Sequence, residues 1–219
     1  MGTEFLRLYH TLSGMANVSQ GARTFLITSS TVGEGKSTVA ALLSITLGTL
    51  RKKTLLIDLD LRRPTIHRMF KFYLEDGVTD VADGSIPQAR AYKQTELEFL
   101  HVLTAGRLSQ NPNDYFESGH VEKILDLAKA RFDYIILDCA PVMPVVDALV
   151  ACRVASSVLM VVKVGETHRE LVKEALAMLT KANAPLGGIL LNNVSDVMPY
   201  HHGHRYAYEY YRPQEPPKA

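Results

Sequence analysis

Nine consecutive residues limit what this chain can fold into: Ser30-Thr-Val-Gly33-Glu-Gly35-Lys36-Ser37-Thr38. A short β-rich run, residues 23–28 (RTFLIT), precedes them, and a mostly apolar stretch from about Lys36 to Leu50 with helical character follows. The pattern is that of a phosphate-binding loop, with Ser30 in place of the first glycine. Gly33 and Gly35 let the backbone come close to a phosphate and aim N–H groups at it. The start of the following helix adds partial positive charge. Lys36 has the reach for β- and γ-phosphates, and the Ser37 hydroxyl suits Mg²⁺, whose other ligands would be water and phosphate oxygens. Glu34 and Thr38 complete the set of loop residues expected to bind the nucleotide. A loop of this kind operates between a strand and a helix, which places the chain among α/β folds.

The rest of the sequence supports that reading. Residues 54–59 (TLLIDL), 97–104 (LEFLHVLT), 134–138 (YIILD), 157–164 (SVLMVVKV) and 188–192 (GILLN) are apolar, strand-like runs. Between them, residues 121–131 have an amphipathic helical pattern. Thr167–Glu170 has the form of a capping box opening a helix, with Leu171, Val172, Ala175, Leu176 and Leu179 on its buried face. Continuously apolar strands alternating with helices predict a doubly wound α/β fold, a mostly parallel sheet with helices on both faces. Residues 3–16 have helical spacing at Phe5, Leu6, Leu8, Tyr9 and Leu12, with Gly14 expected to end the helix. Residues 1–199 are expected to form one domain and residues 200–219 a flexible tail.

Composition excludes several classes. Lys plus Arg is 24 and Asp plus Glu is 23, so a net charge of +1 argues for neither nucleic acid nor a lipid surface as partner. Two cysteines, Cys139 and Cys152, are too few for a disulfide framework and fit a reducing compartment. No apolar run approaches the roughly 20 residues that span a bilayer.

Two further motifs bring acids to strand ends, where ligands bind in open α/β sheets. In Leu55-Leu-Ile-Asp58-Leu-Asp60-Leu-Arg62-Arg63-Pro64, Asp58 should lie on the strand and Asp60 in the loop beyond. Ile135-Ile-Leu-Asp138-Cys-Ala-Pro141 has the Walker B arrangement, whose acid reaches Mg²⁺ directly or through water. Ser37, Asp60 and Asp138 are the expected metal-binding residues. Lys36, Asp58, Asp60 and Asp138 are the expected catalytic group, with Asp60 accepting a proton or sharing the metal. Asn192, after the last strand, either hydrogen-bonds the adenine or caps the strand. The tail holds half of the ten tyrosines: Tyr200, Tyr206, Tyr208, Tyr210 and Tyr211. They are candidate phosphate acceptors, whose phenols need a carboxylate to take the proton. His201, His202 and His204 have no companion residues at metal-binding spacing, and Cys139 is expected to be a packed thiol.

With these motifs in place, the chain resembles the bacterial tyrosine kinase (BY-kinase) family, the cytoplasmic kinase domain associated with capsule or exopolysaccharide co-polymerases. The likeness rests on Ser30–Thr38 as Walker A, Leu55–Arg62 as the Walker A′ motif and Ile135–Pro141 as Walker B. It rests also on Ala105-Gly106, Asn111-Pro112, Val162–Thr167 and the tail tyrosines. The resemblance implies an ATP- and Mg²⁺-dependent protein tyrosine kinase that phosphorylates its own tail in trans within a homo-oligomeric ring, with other tyrosine proteins as possible substrates. It implies ring contacts through a Glu-x-x-Arg-x-x-Arg helix, matched here by Glu4, Arg7 and His10, the last replacing an arginine. It also implies a membrane-embedded activator segment, fused or separate, and a place at the inner face of the plasma membrane. The chain is expected to be a free-standing cytoplasmic partner or an excised domain. The alternative is a MinD/ParA-like ATPase switch, which shares the fold but carries a signature lysine where this chain has Thr31.

Overall fold

Alternation along each strand sends successive side chains to opposite faces of a sheet, so a run buried on both faces must be apolar throughout. That rule governs the computed structural model, which describes residues 3–15, 21–108 and 111–194. In chain order the elements are α1 (Thr3–Met15), β1 (Arg23–Ser29), α2 (Lys36–Thr49), β2 (Thr54–Leu59), α3 (Ile66–Met69), α4 (Val78–Ala82), α5 (Gln88–Ala91), β3 (Lys93–Gln94), β4 (Leu100–Leu103), α6 (Asn113–Glu117), α7 (His120–Lys129), β5 (Tyr134–Cys139), α8 (Asp147–Ala151), β6 (Ser157–Lys163), α9 (Arg169–Lys181) and β7 (Leu186–Asn192). A 3₁₀ turn, Cys152–Val154, follows α8.

The strands form one sheet in the order β3-β4-β2-β5-β1-β6-β7. Every pairing is parallel except the short β3–β4 pair. Two cores lie on its two faces. Leu26, Ile57, Leu137 and Met160 pack with Val121, Leu125 and Leu179 on one face. Phe25, Ile27, Leu56, Ile136 and Val161 pack with Leu12, Val39, Leu43 and Leu47 on the other. The doubly wound, mostly parallel architecture is therefore present.

Three local expectations need correction. The run at 97–104 is a strand only over Leu100–Leu103. Residues just before it turn, because the Thr95 hydroxyl takes the Leu97 N–H at 3.1 Å and donates to the Leu100 carbonyl at 2.9 Å. Thr167 does not cap a helix. The helix opens one residue later, at Arg169, with His168 at the cap position and no side-chain capping bond. Gly14 does not end α1, which runs on to Met15.

Basic residues gather at the amino ends of the strands. Lys52, Lys129 and Arg131 line a cavity of about 600 Å³ there, beside Arg23 and Lys53. Helices α2 and α7 end on this side, and cations complement the negative end of a helix dipole. None of the candidate site residues lies in this cavity. Among the described residues, no helix is long and apolar enough to cross a membrane.

Candidate active site

The chain leaves β1 toward β2 on one side and later returns to β6 on the other, which opens a crevice at the carboxyl end of β1. The glycine loop lies in that crevice. Register brings the acids to it. Asp58 pairs with Asp138 across β2 and β5, and Ile27 of β1 pairs with Asp138 from the other side. Alternation then sets their direction. Ile57, Leu59, Leu137 and Cys139 belong to one core, and Leu56 and Ile136 to the other. Asp58 and Asp138 thus face the α2 side, where Lys36 and Ser37 begin the helix.

The loop backbone needs its glycines. Gly33 has φ +89 and Gly35 has φ +94, conformations that side chains strain. Gly35 also caps α2, and a Cβ there would stand 2.3 Å from Asn192 Nδ2. Gly35→Ala is therefore expected to weaken nucleotide binding at least tenfold. Titration with a fluorescent ADP analogue checks this, and wild-type affinity would contradict it.

Glu34 and Asn192 brace this loop. Glu34 is buried. Its carboxylate takes the Thr31 N–H at 2.7 Å and the Thr167 hydroxyl, and its carbonyl takes the Asn192 amide at 3.0 Å. Asn192 Oδ1 in turn takes the Asn193 N–H at 2.9 Å. These bonds tie the phosphate loop to the β6–α9 turn and to the end of β7. The sequence marks Thr167 as a helix cap and as the end of the Val162–Thr167 motif, but nothing in its spacing links it to Glu34.

Lys36 sits at the centre of the site. Its ammonium lies 2.8 Å from Asp60 Oδ2, 3.4 Å from Asp138 Oδ1 and 3.1 Å from the Ser37 hydroxyl. Burial pulls the Lys36 pKa down, but Asp138 and Asp60 together outweigh it and the ammonium is held above its usual range. Burial pushes Asp138 up to about 6, against the pull of Lys36 and Ser37. Asp58 is also pushed up, by burial and by Asp138 beside it, while the Ile66 N–H pulls the other way.

The donors present fit a hard cation. Asp138 Oδ2 is buried without a hydrogen-bond partner, and Ser37 and Asp60 lie against the same ammonium. Among the described residues, no three or more of His, Cys, Asp and Glu form a cage for a metal by themselves. Mg²⁺ needs no such cage, because it is held by one or two carboxylates with substrate phosphates and water.

Asp58 is bonded by backbone on both oxygens. Its Oδ1 takes the Asp60 N–H at 3.2 Å, and its Oδ2 takes those of Thr65 and Ile66, both at 3.1 Å. It pins both ends of the loop that carries Asp60. Asp60 Oδ1 takes the Arg63 N–H at 3.0 Å. Arg62 reaches outward from the same loop to Asp147, with Nε at 2.9 Å from Oδ2 and Nη2 at 3.1 Å from Oδ1. The sequence shows Arg62 as part of a motif but gives no sign of its partner.

Cys139 is fully buried with its thiol pushed well up by burial, as expected of a packed thiol. Glu4, Arg7 and His10 form one exposed stripe on α1, while Phe5, Leu8, Tyr9 and Leu12 pack inward. The tail tyrosines and histidines lie outside the described residues.

A family model described as an AAA domain matches residues 22–185. The tyrosine-protein kinase YwqD of Bacillus subtilis is 32% identical over 192 residues, covering 88% of this chain and 81% of that protein. The kinase domain of the Escherichia coli tyrosine kinase ETK superposes with a TM-score of 0.79 at 26% identity, covering 85% of this chain and 72% of that one. The septum site-determining protein MinD of Pyrococcus horikoshii, solved with Mg-ADP, superposes at 0.67 with 22% identity, covering 81% and 72%, and shares the fold.

Proposed function

The chain belongs to the bacterial tyrosine-kinase family, and on that premise we propose that it binds ATP with Mg²⁺ at Gly33–Thr38 and transfers the γ-phosphoryl group to Tyr200, Tyr206, Tyr208, Tyr210 and Tyr211 of a neighbouring copy. The observation that carries this is the convergence of Lys36 with Ser37, Asp60 and Asp138 at the head of α2.

Roles follow from burial and bonding. The N–H groups of the loop and of the start of α2 receive the phosphates, and Lys36 stabilises charge on their oxygens. Ser37, Asp60 and Asp138 would hold the Mg²⁺, which when bound neutralises charge on the phosphate oxygens. Asp58, walled in by three backbone donors, positions the Asp60 loop. Asp60, the most exposed of the three acids at 5%, shares the metal or takes the phenolic proton as the tyrosine oxygen bonds to phosphorus and the bond to the ADP oxygen breaks. Glu34 and Asn192 hold the loop in shape, and Asn192 would be the group to hydrogen-bond the adenine. Catalysis on this plan is positioning and charge stabilisation.

The exposed stripe of Glu4, Arg7 and His10 is the surface through which copies would meet in a ring. A membrane-embedded activator, as a co-polymerase segment, would bring the ring to the inner face of the plasma membrane, where it regulates capsule or exopolysaccharide synthesis. Other tyrosine proteins are further substrates. The switch-ATPase reading has less support, because Thr31 stands at the signature-lysine position.

Replacing the five tail tyrosines by phenylalanine tests the acceptor assignment. The expected result is loss of most phosphotyrosine with nucleotide affinity unchanged. Phosphotyrosine persisting at Tyr73, Tyr92 or Tyr134 would contradict it.

A further inference from the structure

Two acids of the site sit on separate segments, so something must set the spacing between them. Asp60 rides on the loop after β2, and Asp138 is at the end of β5. The chain beyond Asp138 is tied back to the root of the phosphate loop, since the Val142 N–H meets the Ser29 carbonyl at 2.9 Å and the Met143 N–H meets the Ser30 carbonyl at 3.1 Å. That segment leads to Asp147, the first residue of α8, whose side chain is fully buried. Arg62 spans from the Asp60 loop to both Asp147 oxygens in a two-pronged pair, and its Nη2 also donates to Asn113 Oδ1 of α6 at 2.5 Å.

A bidentate guanidinium–carboxylate pair fixes orientation as well as distance, which a lysine in its place does not. A buried carboxylate without its partner is strongly disfavoured, so Asp147 holds Arg62 firmly. Asp58 pins the ends of the loop, and Arg62 pins its middle.

We infer that Arg62 and Asp147 are a positioning pair that sets Asp60 against Asp138, and thereby the site's capacity to hold Mg²⁺ with nucleotide. In this role the pair acts through Asp60. The inference rests on the metal and nucleotide reading above.

Binding of a fluorescent ADP analogue, with Mg²⁺ and with EDTA, tests it in the full chain. In the wild type, Mg²⁺ should raise affinity. In Arg62→Lys and in Asp147→Asn that gain should shrink about tenfold, with affinity in EDTA held near wild type. The double variant Arg62→Lys/Asp147→Asn should be no worse than either single one, because the pair acts as a unit. Arg62→Lys keeps the charge beside the buried Asp147, so it remains informative if Asp147→Asn fails to fold. A Mg²⁺ gain unchanged in Arg62→Lys, an equal loss in EDTA, or additive effects in the double variant would overturn the positioning role alone. A wild type that shows no Mg²⁺ gain would overturn the site reading as well.

Discussion

Lys36→Met is expected to abolish tail phosphorylation while leaving the fold intact. The ammonium is the cation nearest the site acids, 2.8 Å from Asp60 and 3.4 Å from Asp138. Methionine keeps the unbranched stem and removes the charge. Losing one preorganised donor to a developing oxyanion costs about 10²–10³ in rate. Lys36 would also be lost as a ground-state phosphate ligand, so the fall should reach at least that range. The helix it begins is anchored by Val39, Ala40, Leu43 and Leu47, all buried, so secondary structure should persist. What changes is the electrostatics of the acids left behind. Without Lys36 they repel one another, and the variant should melt lower at pH 8 than wild type. The gap should narrow toward pH 5, as Asp58 and Asp138, whose carboxyls burial pushes up to about 8 and about 6, take up protons. Radiolabel transfer from ATP, with melting curves at the two pH values, measures both effects. Label at the wild-type level would contradict the assignment.

Asp138→Asn is expected to nearly eliminate activity yet stabilise the protein at alkaline pH. Burial holds the Asp138 carboxyl up to about 6, above the 3.8 of an ordinary aspartate. A carboxyl raised in the folded state binds more protons there than in the unfolded chain between those two values. Stability from this group is therefore lost as pH rises through the window, and the full penalty remains above it. Asparagine does not titrate, so the variant's melting temperature relative to wild type should be higher at pH 8 than at pH 4. The same titration sets the acid limb of activity. Mg²⁺ requires the carboxylate, so protons compete with it and wild-type activity should fall below about pH 6. Residual activity of Asp138→Asn should lack that limb. A stability difference independent of pH would refute the buried-acid interpretation.

Legibility differed from one part of the chain to another for physical reasons. The five apolar parallel strands β1, β2, β5, β6 and β7 were recognisable because their length and content allow few alternatives. The helices α3, α4, α5, α6 and α8 were not, since each has only four or five residues and no period develops over a single turn. The run at 97–104 misled because Leu97 is apolar for packing at the turn before the strand, and Phe99 gives β2 only its carbonyl, to Thr54. In the site, the phosphate loop and the three acids were visible as motifs, because spacing along one strand end is local. The bonds that brace them were not. Glu34 to Thr167 spans 133 positions and Arg62 to Asp147 spans 85, and single-chain patterns hold no record of such meetings. Asp58 shows the difference between type and role. Its motif marks it as a site acid, whereas its three backbone bonds make it the anchor of the loop on which Asp60 stands.

Incubating the purified chain with Mg²⁺ and ATP, then mapping modified residues by mass spectrometry, tests the central proposition most directly. Phosphate should appear on Tyr200, Tyr206, Tyr208, Tyr210 and Tyr211, and should require both Mg²⁺ and Lys36. ATP hydrolysed to ADP with every phenol left bare would contradict it.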